Sequence, residues 1–151
     1  MTGLLRIPRR VRHELKFRTL TVASIEDLTP TYRRIVLEGA DLDGFVSLGF
    51  DDHVKIFPVA EGQAPVLPTL GPDGPVFAEP RPVMRDYTPR AYDAAARRLT
   101  LDFVTGHGGP ATEWAMAAKT GSLLGVGGPR GSFIVPTASA DHVLIGDETA
   151  L

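Results

Sequence analysis

Cysteine is absent from the 151-residue sequence. That excludes disulfides, thiolate metal sites, CxxC redox motifs and cysteine-ligated iron–sulfur clusters, and it fits a reducing compartment. No apolar run is long enough to cross a bilayer. The opening MTGLLRIPRRVRHELKF carries basic side chains with no apolar stretch behind them, so it is not a signal peptide. Charge of one sign is also lacking: the formal net charge of -2 argues against a general nucleic-acid binder. His13, His53 and His142 show no metal-ligand spacing, so no protein-ligated metal is expected. GVGGPRG fits neither G-x-G-x-x-G nor G-x-x-x-x-G-K-[ST], and reads instead as a tight Gly-Pro turn over Gly127–Gly131. No Ser-His-Asp order with a nucleophile elbow occurs. The chain therefore reads as cytoplasmic, with neither membrane nor nucleic acid as partner.

The composition that remains, 43% hydrophobic and 23% charged, is that of a globular protein. The length suits one domain with a real core. Residues 1–16 form a basic arm bearing Arg6, Arg9, Arg10, Arg12 and Lys16, with Arg18 just beyond it, expected to be a loose, solvated terminus. FRTLTVASIED and YRRIVLEG read as strands from their alternation and β-branched content. DDHVKIFPV, RPVMRDYT and RRLTLDFVT read as further strands, the last with Leu99, Leu101 and Phe103 on one face. Residues 59–80 hold Pro65, Pro68, Pro72, Pro75 and Pro80 among glycines, which predicts a long mobile loop.

One helix is signalled by GPATEWAMAAK. Pro110 suits its first position. Ala111, Trp114, Ala115 and Ala118 form an apolar stripe, with Trp114 as core. Lys119 is placed to favour the C-terminal dipole, and Gly121 to stop the helix. SLLGVGGPRGSFIV then reads as strand, turn, strand. Several short strands with a single helix predict a mainly β fold, a Greek-key antiparallel barrel over residues 17–138. Residues 139–151, DHVLIGDETAL at their end, read as an apolar strand and the opening of a βαβ unit, that is, the first strand of an α/β domain.

Two stretches could hold a ligand. In RDYTPR, alternation puts Arg85 and Tyr87 on one face, and Pro89 keeps Thr88 extended. An arginine fork binds phosphate, a tyrosine ring stacks on a flat heterocycle, and a threonine hydroxyl can donate to a ring nitrogen. In GHGGPAT, glycines such as Gly109 permit close backbone approach, and the first N–H groups of the helix, from Ala111 onward, suit a pyrophosphate. Thr112 adds a hydroxyl, and His107 could meet a phosphate or ribose. The strand LDFVTGH runs into the same place and offers backbone to a ring edge.

Taken in order, DHVKIFP, RDYTPR, LDFVTGHGGPATEWA, GPRGSF and VLIGDETAL closely resemble the siderophore-interacting proteins, a branch of the ferredoxin-reductase-like flavoproteins, from about Phe17 onward. The resemblance implies an FAD-binding barrel followed by an α/β domain that receives NAD(P)H in many members. It implies reduction of ferric siderophores to release Fe(II), with NAD(P)H or ferredoxin as donor. By likeness, Arg85 holds the FAD phosphates, Tyr87 stacks on the isoalloxazine, and Thr88 lies near its N5 as the catalytic position. Asp102, Phe103 and Val104 line the flavin's polar edge. His107, Gly109, Ala111 and Thr112 surround the pyrophosphate, and Thr149 lies near flavin and nicotinamide. The family continues after GDETAL for a second domain, so the resemblance implies that the donor site is incomplete within these 151 residues. Two other readings remain: a flavin-dependent reductase of another acceptor, and a non-catalytic barrel or binding module.

Overall fold

The structure is a computed structural model that describes residues 7–150. Arg6 of the basic arm and Leu151 lie outside the described residues.

Period-two alternation builds the strands. In chain order they are β1 (Arg9–Arg12), β2 (Phe17–Thr29), β3 (Tyr32–Glu38), β4 (Val54–Phe57), β5 (Thr69–Gly71), β6 (Gly74–Val76), β7 (Arg85–Tyr87), β8 (Pro89–Asp93) and β9 (Arg98–Val104). After the helix α1 (Pro110–Ala117) come β10 (Leu123–Gly127) and β11 (Gly131–Ile134). Seven strands form one antiparallel sheet in the order β7-β4-β10-β2-β3-β9-β8. Its two edge strands, β7 and β8, follow one another in the chain with only Thr88 between them. One continuous segment therefore forms both edges, and the sheet curls into a nearly closed Greek-key barrel with its seam at Thr88. Closure of this kind leaves no long edge exposed for pairing with another chain.

The core follows from the alternation. Leu99, Leu101 and Phe103 of β9 are fully buried, as are Ile35 and Leu37 of β3 and Val54 and Ile56 of β4. Each such side chain contributes roughly 1.5–3 kcal/mol of burial. Register shifts in β2 between Val22 and Ser24, and between Asp27 and Thr29, let the 13-residue strand bend around the barrel. Helix α1 packs on this core through Trp114, whose ring centroid lies 5.7 Å from that of Phe103. The indole N–H donates to the Leu123 carbonyl at 3.1 Å. Among the described residues no helix is long and apolar enough to cross a membrane.

Four expectations need correction. The basic arm is not loose over its length: Arg9–Arg12 pair antiparallel with β11, and the Arg10 guanidinium lies 5.4 Å from the Phe133 ring centroid. The cause is that β11 does not fold back on β10 as a hairpin, so its free edge is open to the arm. The Pro/Gly segment is also anchored. It contains the β5–β6 hairpin, and Pro65 and Leu67 lie so close over Gly125 that a Cβ there would come within 2.6 Å of Leu67 Cδ2. The missing side chain of β10 is the seat for this segment.

Helix α1 ends earlier than its stripe suggested. Ala118 is already extended (φ -59°, ψ 142°), so Lys119 lies outside the last turn, and its Nζ pairs with Glu61 at 2.8 Å. Finally, DHVLIG forms no ladder among the described residues. Val143, Leu144 and Ile145 are 83%, 76% and 93% exposed, and Glu148–Ala150 form a short 3₁₀ turn. A βαβ-type strand is stable only between neighbouring strands with both faces covered, and no described strand flanks this one.

A buried carboxylate ties the loop before β4 to β11. Asp52, 3% exposed, accepts from the Ser132 hydroxyl at 2.6 Å and the Ser47 hydroxyl at 2.9 Å. It also accepts from the backbone N–H of Leu48 at 2.8 Å and of Gly49 at 3.1 Å. Burial pushes the Asp52 carboxyl up, but these hydrogen bonds, led by Ser132, outweigh it and hold the group below the usual carboxylate range. A depressed folded-state value means that this contribution is fully present above the unfolded value. It is lost as pH falls through the folded one, below about pH 4. Asp52→Asn is therefore expected to remove part of the acid-induced loss of stability in that window. At neutral pH it should cost about 1–3 kcal/mol. Urea unfolding at pH 7 and pH 3.5 checks both; an unchanged acid slope would contradict the assignment.

Candidate functional site

A cleft of about 330 Å³ opens at the barrel seam. Three pieces of chain converge on it. The first is the seam segment itself, with Arg85 and Tyr87 from β7, Thr88 at the junction and Arg90 from β8. Antiparallel pairing of Tyr87 with Val54 fixes this segment against β4. The β8–β9 register slips between Pro89 and Ala91, so Arg90 sits in a bulge, a device that re-aims a side chain. The second piece is the end of β9 and the following loop: Asp102, Val104, His107, Gly108 and Gly109. The third is the first turn of α1, with Ala111 and Thr112; Tyr32, Glu148 and Thr149 complete the rim.

Tyr87 is half-buried, its ring centroid 4.4 Å from that of Phe103 at an interplanar angle of 35°. Burial pushes the Tyr87 phenol up, against the opposing effect of Arg85, so the hydroxyl stays neutral at physiological pH. Phe103 itself does not line the cleft. Alternation along β9 sends 99, 101 and 103 inward and 102 and 104 outward, so Phe103 is the fully buried backing of Tyr87.

The charges in the cleft differ in how far they are committed. Asp102 has a side chain only 6% exposed and is gripped by Arg34 through two bonds of 2.8 Å, with Arg90 Nε 3.9 Å away. Asp86 pairs with Lys55 at 2.7 Å. Arg85 is exposed, donates through Nη1 to the Met84 carbonyl at 2.8 Å, and has no carboxylate within 4.0 Å among the described residues. Its charge is thus available to an anion, as most of that of Arg90 is.

Gly109 precedes α1 at φ 133°, and a Cβ placed on it would meet nothing within 4 Å. The backbone angle, not lack of space, calls for glycine here. No side chain caps the helix, so its first N–H groups remain for a partner in the cleft. Ala111 and Thr112 are themselves buried, and the Thr112 hydroxyl lies 3.5 Å from the Val104 carbonyl. They present backbone rather than side chain. The Thr149 hydroxyl donates to Asp147 at 2.6 Å, which holds the Asp147 carboxyl below its usual range.

The structure thus brings Arg85, Tyr87, Thr88, Asp102, Val104, His107, Gly109, Ala111, Thr112 and Thr149 to one cleft. Sequence reasoning missed Tyr32 and Arg90. Tyr32 arrives through its register with Val104 on β9, a non-local pairing. Arg90 was visible as a second arginine in RDYTPR, but the bulge that turns it was not. Among the described residues no group of three or more His, Cys, Asp or Glu side chains could hold a metal ion.

A half-buried aromatic face, an uncommitted arginine and an uncapped helix N-terminus in one cleft suit a planar ring carrying a phosphate tail. On a Greek-key barrel with one helix, they define a candidate flavin-binding barrel domain. The chain belongs to the siderophore-interacting FAD-binding domain family, whose sequence profile matches residues 21–133. It is 45% identical over 152 aligned positions to the NADPH-dependent ferric-chelate reductase of Escherichia coli (strain K12), covering 100% of this chain and 59% of that protein. It is 38% identical over 120 positions to a ferric vibriobactin reductase of Vibrio cholerae, covering 78% of this chain and 44% of the relative. Among solved structures, a siderophore utilization protein from T. fusca superposes with a TM-score of 0.79 at 41% identity, over 86% of this chain and 51% of that one. The chain thus spans about half the length of the relatives it matches.

Proposed function

We propose that the seam cleft holds FAD and that this domain serves a reductase of ferric siderophores with NAD(P)H as electron donor, ferredoxin being the other candidate donor. The observation that carries this is the convergence of Arg85, Tyr87 and the uncapped start of α1 on one cleft. The names of the relatives, a ferric-chelate reductase and a ferric vibriobactin reductase, supply the acceptor class.

Bound FAD supplies the conversion between a two-electron hydride donor and one-electron delivery to Fe(III). This chain's residues bind and orient. The Arg85 guanidinium neutralises phosphate with parallel N–H donors, and the N–H groups after Gly109 take the pyrophosphate. Tyr87, backed by the tilted ring of Phe103, would stack on the flavin ring. Thr88, exposed at the seam, would offer its hydroxyl to the flavin, and the backbone of Asp102 and Val104, which lines the same cleft, would meet the ring's polar groups. His107 borders the phosphate end, and Thr149 the face where a nicotinamide would approach. Iron enters as substrate inside its chelate, and two Fe(III) are reduced for each hydride, with one proton released.

The test is to load the protein with FAD, reduce it with dithionite, remove the excess, and mix it with ferric chelates and with quinones. Fe(II) release, read with a ferrous-specific chelator, is expected to outpace quinone reduction. Quinone reduction with no Fe(II) release would contradict the proposal.

A further inference from the structure

Arg18 is a buried cation, 4% exposed, with no carboxylate in direct contact, that is, within 4.0 Å, among the described residues. Its Nε donates to the Asp41 carbonyl at 2.8 Å, its Nη1 to the Gly128 carbonyl at 2.9 Å, and the guanidinium lies 5.3 Å from the Phe45 ring centroid. Two of the five N–H donors of an arginine are thereby engaged with carbonyl dipoles. A buried charge is ordinarily paired with an opposite one, because dipoles alone offset only part of its desolvation. Burial pulls the Arg18 guanidinium below its ordinary value, against the opposing effect of Tyr92 and Asp41.

The group is not sealed in. It lines a second cleft, of about 290 Å³, that shares no residue with the seam cleft. Arg12, His13, Lys16, Gly128 and Pro129 line this cleft beside it. Gly44, at φ 72°, brings the opposite loop near enough that a Cβ on it would lie 3.9 Å from the Lys16 ammonium. Three permanent cations thus face one carboxylate, Glu14. Glu14 meets Lys16 at 3.5 Å, but both side chains are largely exposed, at 79% and 45%. Such a pair contributes little and gives way easily.

We propose that this cleft binds a phosphate group, with Arg18 as the buried anchor and Arg12 and Lys16 as the two arms that close over it. A tetrahedral oxyanion matches the remaining N–H donors of the guanidinium and provides a counter-charge in direct contact, which Asp41, acting only through its field, does not. The cleft is larger than a bare ion needs and near the lower end of the range for small-molecule sites. It therefore has room for the organic part of a phosphate monoester. The proposal is independent of the FAD assignment.

The experiment is calorimetric titration of the full chain with inorganic phosphate at low ionic strength, repeated with glycerol phosphate. Wild type is expected to show a saturable site that persists in Arg85→Ala. Arg12→Ala/Lys16→Ala, which changes only exposed side chains, should weaken it about tenfold or more, as loss of charge-assisted bonds implies. Arg18→Lys, which keeps the charge but loses the fork, should weaken it as well, with thermal melts confirming that each variant folds. Tighter binding of the ester would identify a phosphate-bearing metabolite as the source, and equal binding would identify the free ion. Either result supports the site. Absence of a saturable site, or a site lost in Arg85→Ala and intact in Arg12→Ala/Lys16→Ala, would overturn it.

Discussion

Replacing Arg85 with alanine is expected to weaken FAD binding by about 10- to 100-fold, with little change in thermal stability. The magnitude follows from hydrogen bonds to a charged group, about 1.5–3 kcal/mol, at about 1.4 kcal/mol for each factor of ten. Stability should hold because Arg85 is exposed and, within the protein, donates only to its neighbour's carbonyl. The informative control is Arg130→Ala. Arg130 is also exposed, but it stands in the turn between β10 and β11 and does not line the seam cleft. Its loss should leave FAD affinity nearly unchanged, as measured by quenching of flavin fluorescence. Equal losses in the two variants would show that general positive charge, rather than the fork at the seam, attracts the cofactor.

Phe103→Ala should have the largest effect on stability, about 3–5 kcal/mol. Phe103 is fully buried between the rings of Tyr87 and Trp114, at centroid distances of 4.4 and 5.7 Å. Truncating it opens a cavity between the barrel and α1 and removes the wall that holds Tyr87. FAD affinity should therefore fall although Phe103 does not line the cleft. Phe103→Leu keeps most of the volume and should cost less than half as much stability. Urea unfolding of both variants, with flavin titration under conditions where each is folded, separates packing from binding. A loss under about 1 kcal/mol for the alanine variant would contradict the placement of Phe103 as the shared backing of barrel and cleft.

Sequence alone made much of this legible where local rules govern. The alternation of Leu99, Leu101 and Phe103 specified the buried face of β9, and Pro110 after Gly109 specified where α1 begins. Most of the candidate cleft was also legible, because Arg85, Tyr87 and the helix start lie in two short stretches that the fold brings together. The rest depended on partners distant in the chain. The arm at Arg9–Arg12 is ordered by the free edge of β11, some 120 residues away. The segment 59–80 is seated by the absent side chain of Gly125. Tyr32 reaches the cleft by cross-strand register, and Arg90 by a bulge. Phe103 was expected along the ring edge through its backbone, but its side chain obeys the strand period and turns inward. The exposure of Val143, Leu144 and Ile145 has the same origin as these differences, since apolar alternation makes a strand only where neighbouring strands accept it.

The central claim is that one segment, Arg85–Arg90, both closes the barrel and grips the cofactor. The most direct test is titration of the 151-residue protein with FAD, following flavin fluorescence and the near-ultraviolet circular dichroism of the bound ring. Saturable binding of one FAD per chain is expected, with an induced dichroism from the ring stacked on Tyr87 and loss of that signal in Tyr87→Ala. Absence of saturable binding by folded wild-type protein, or an induced signal unchanged in Tyr87→Ala, would contradict the claim.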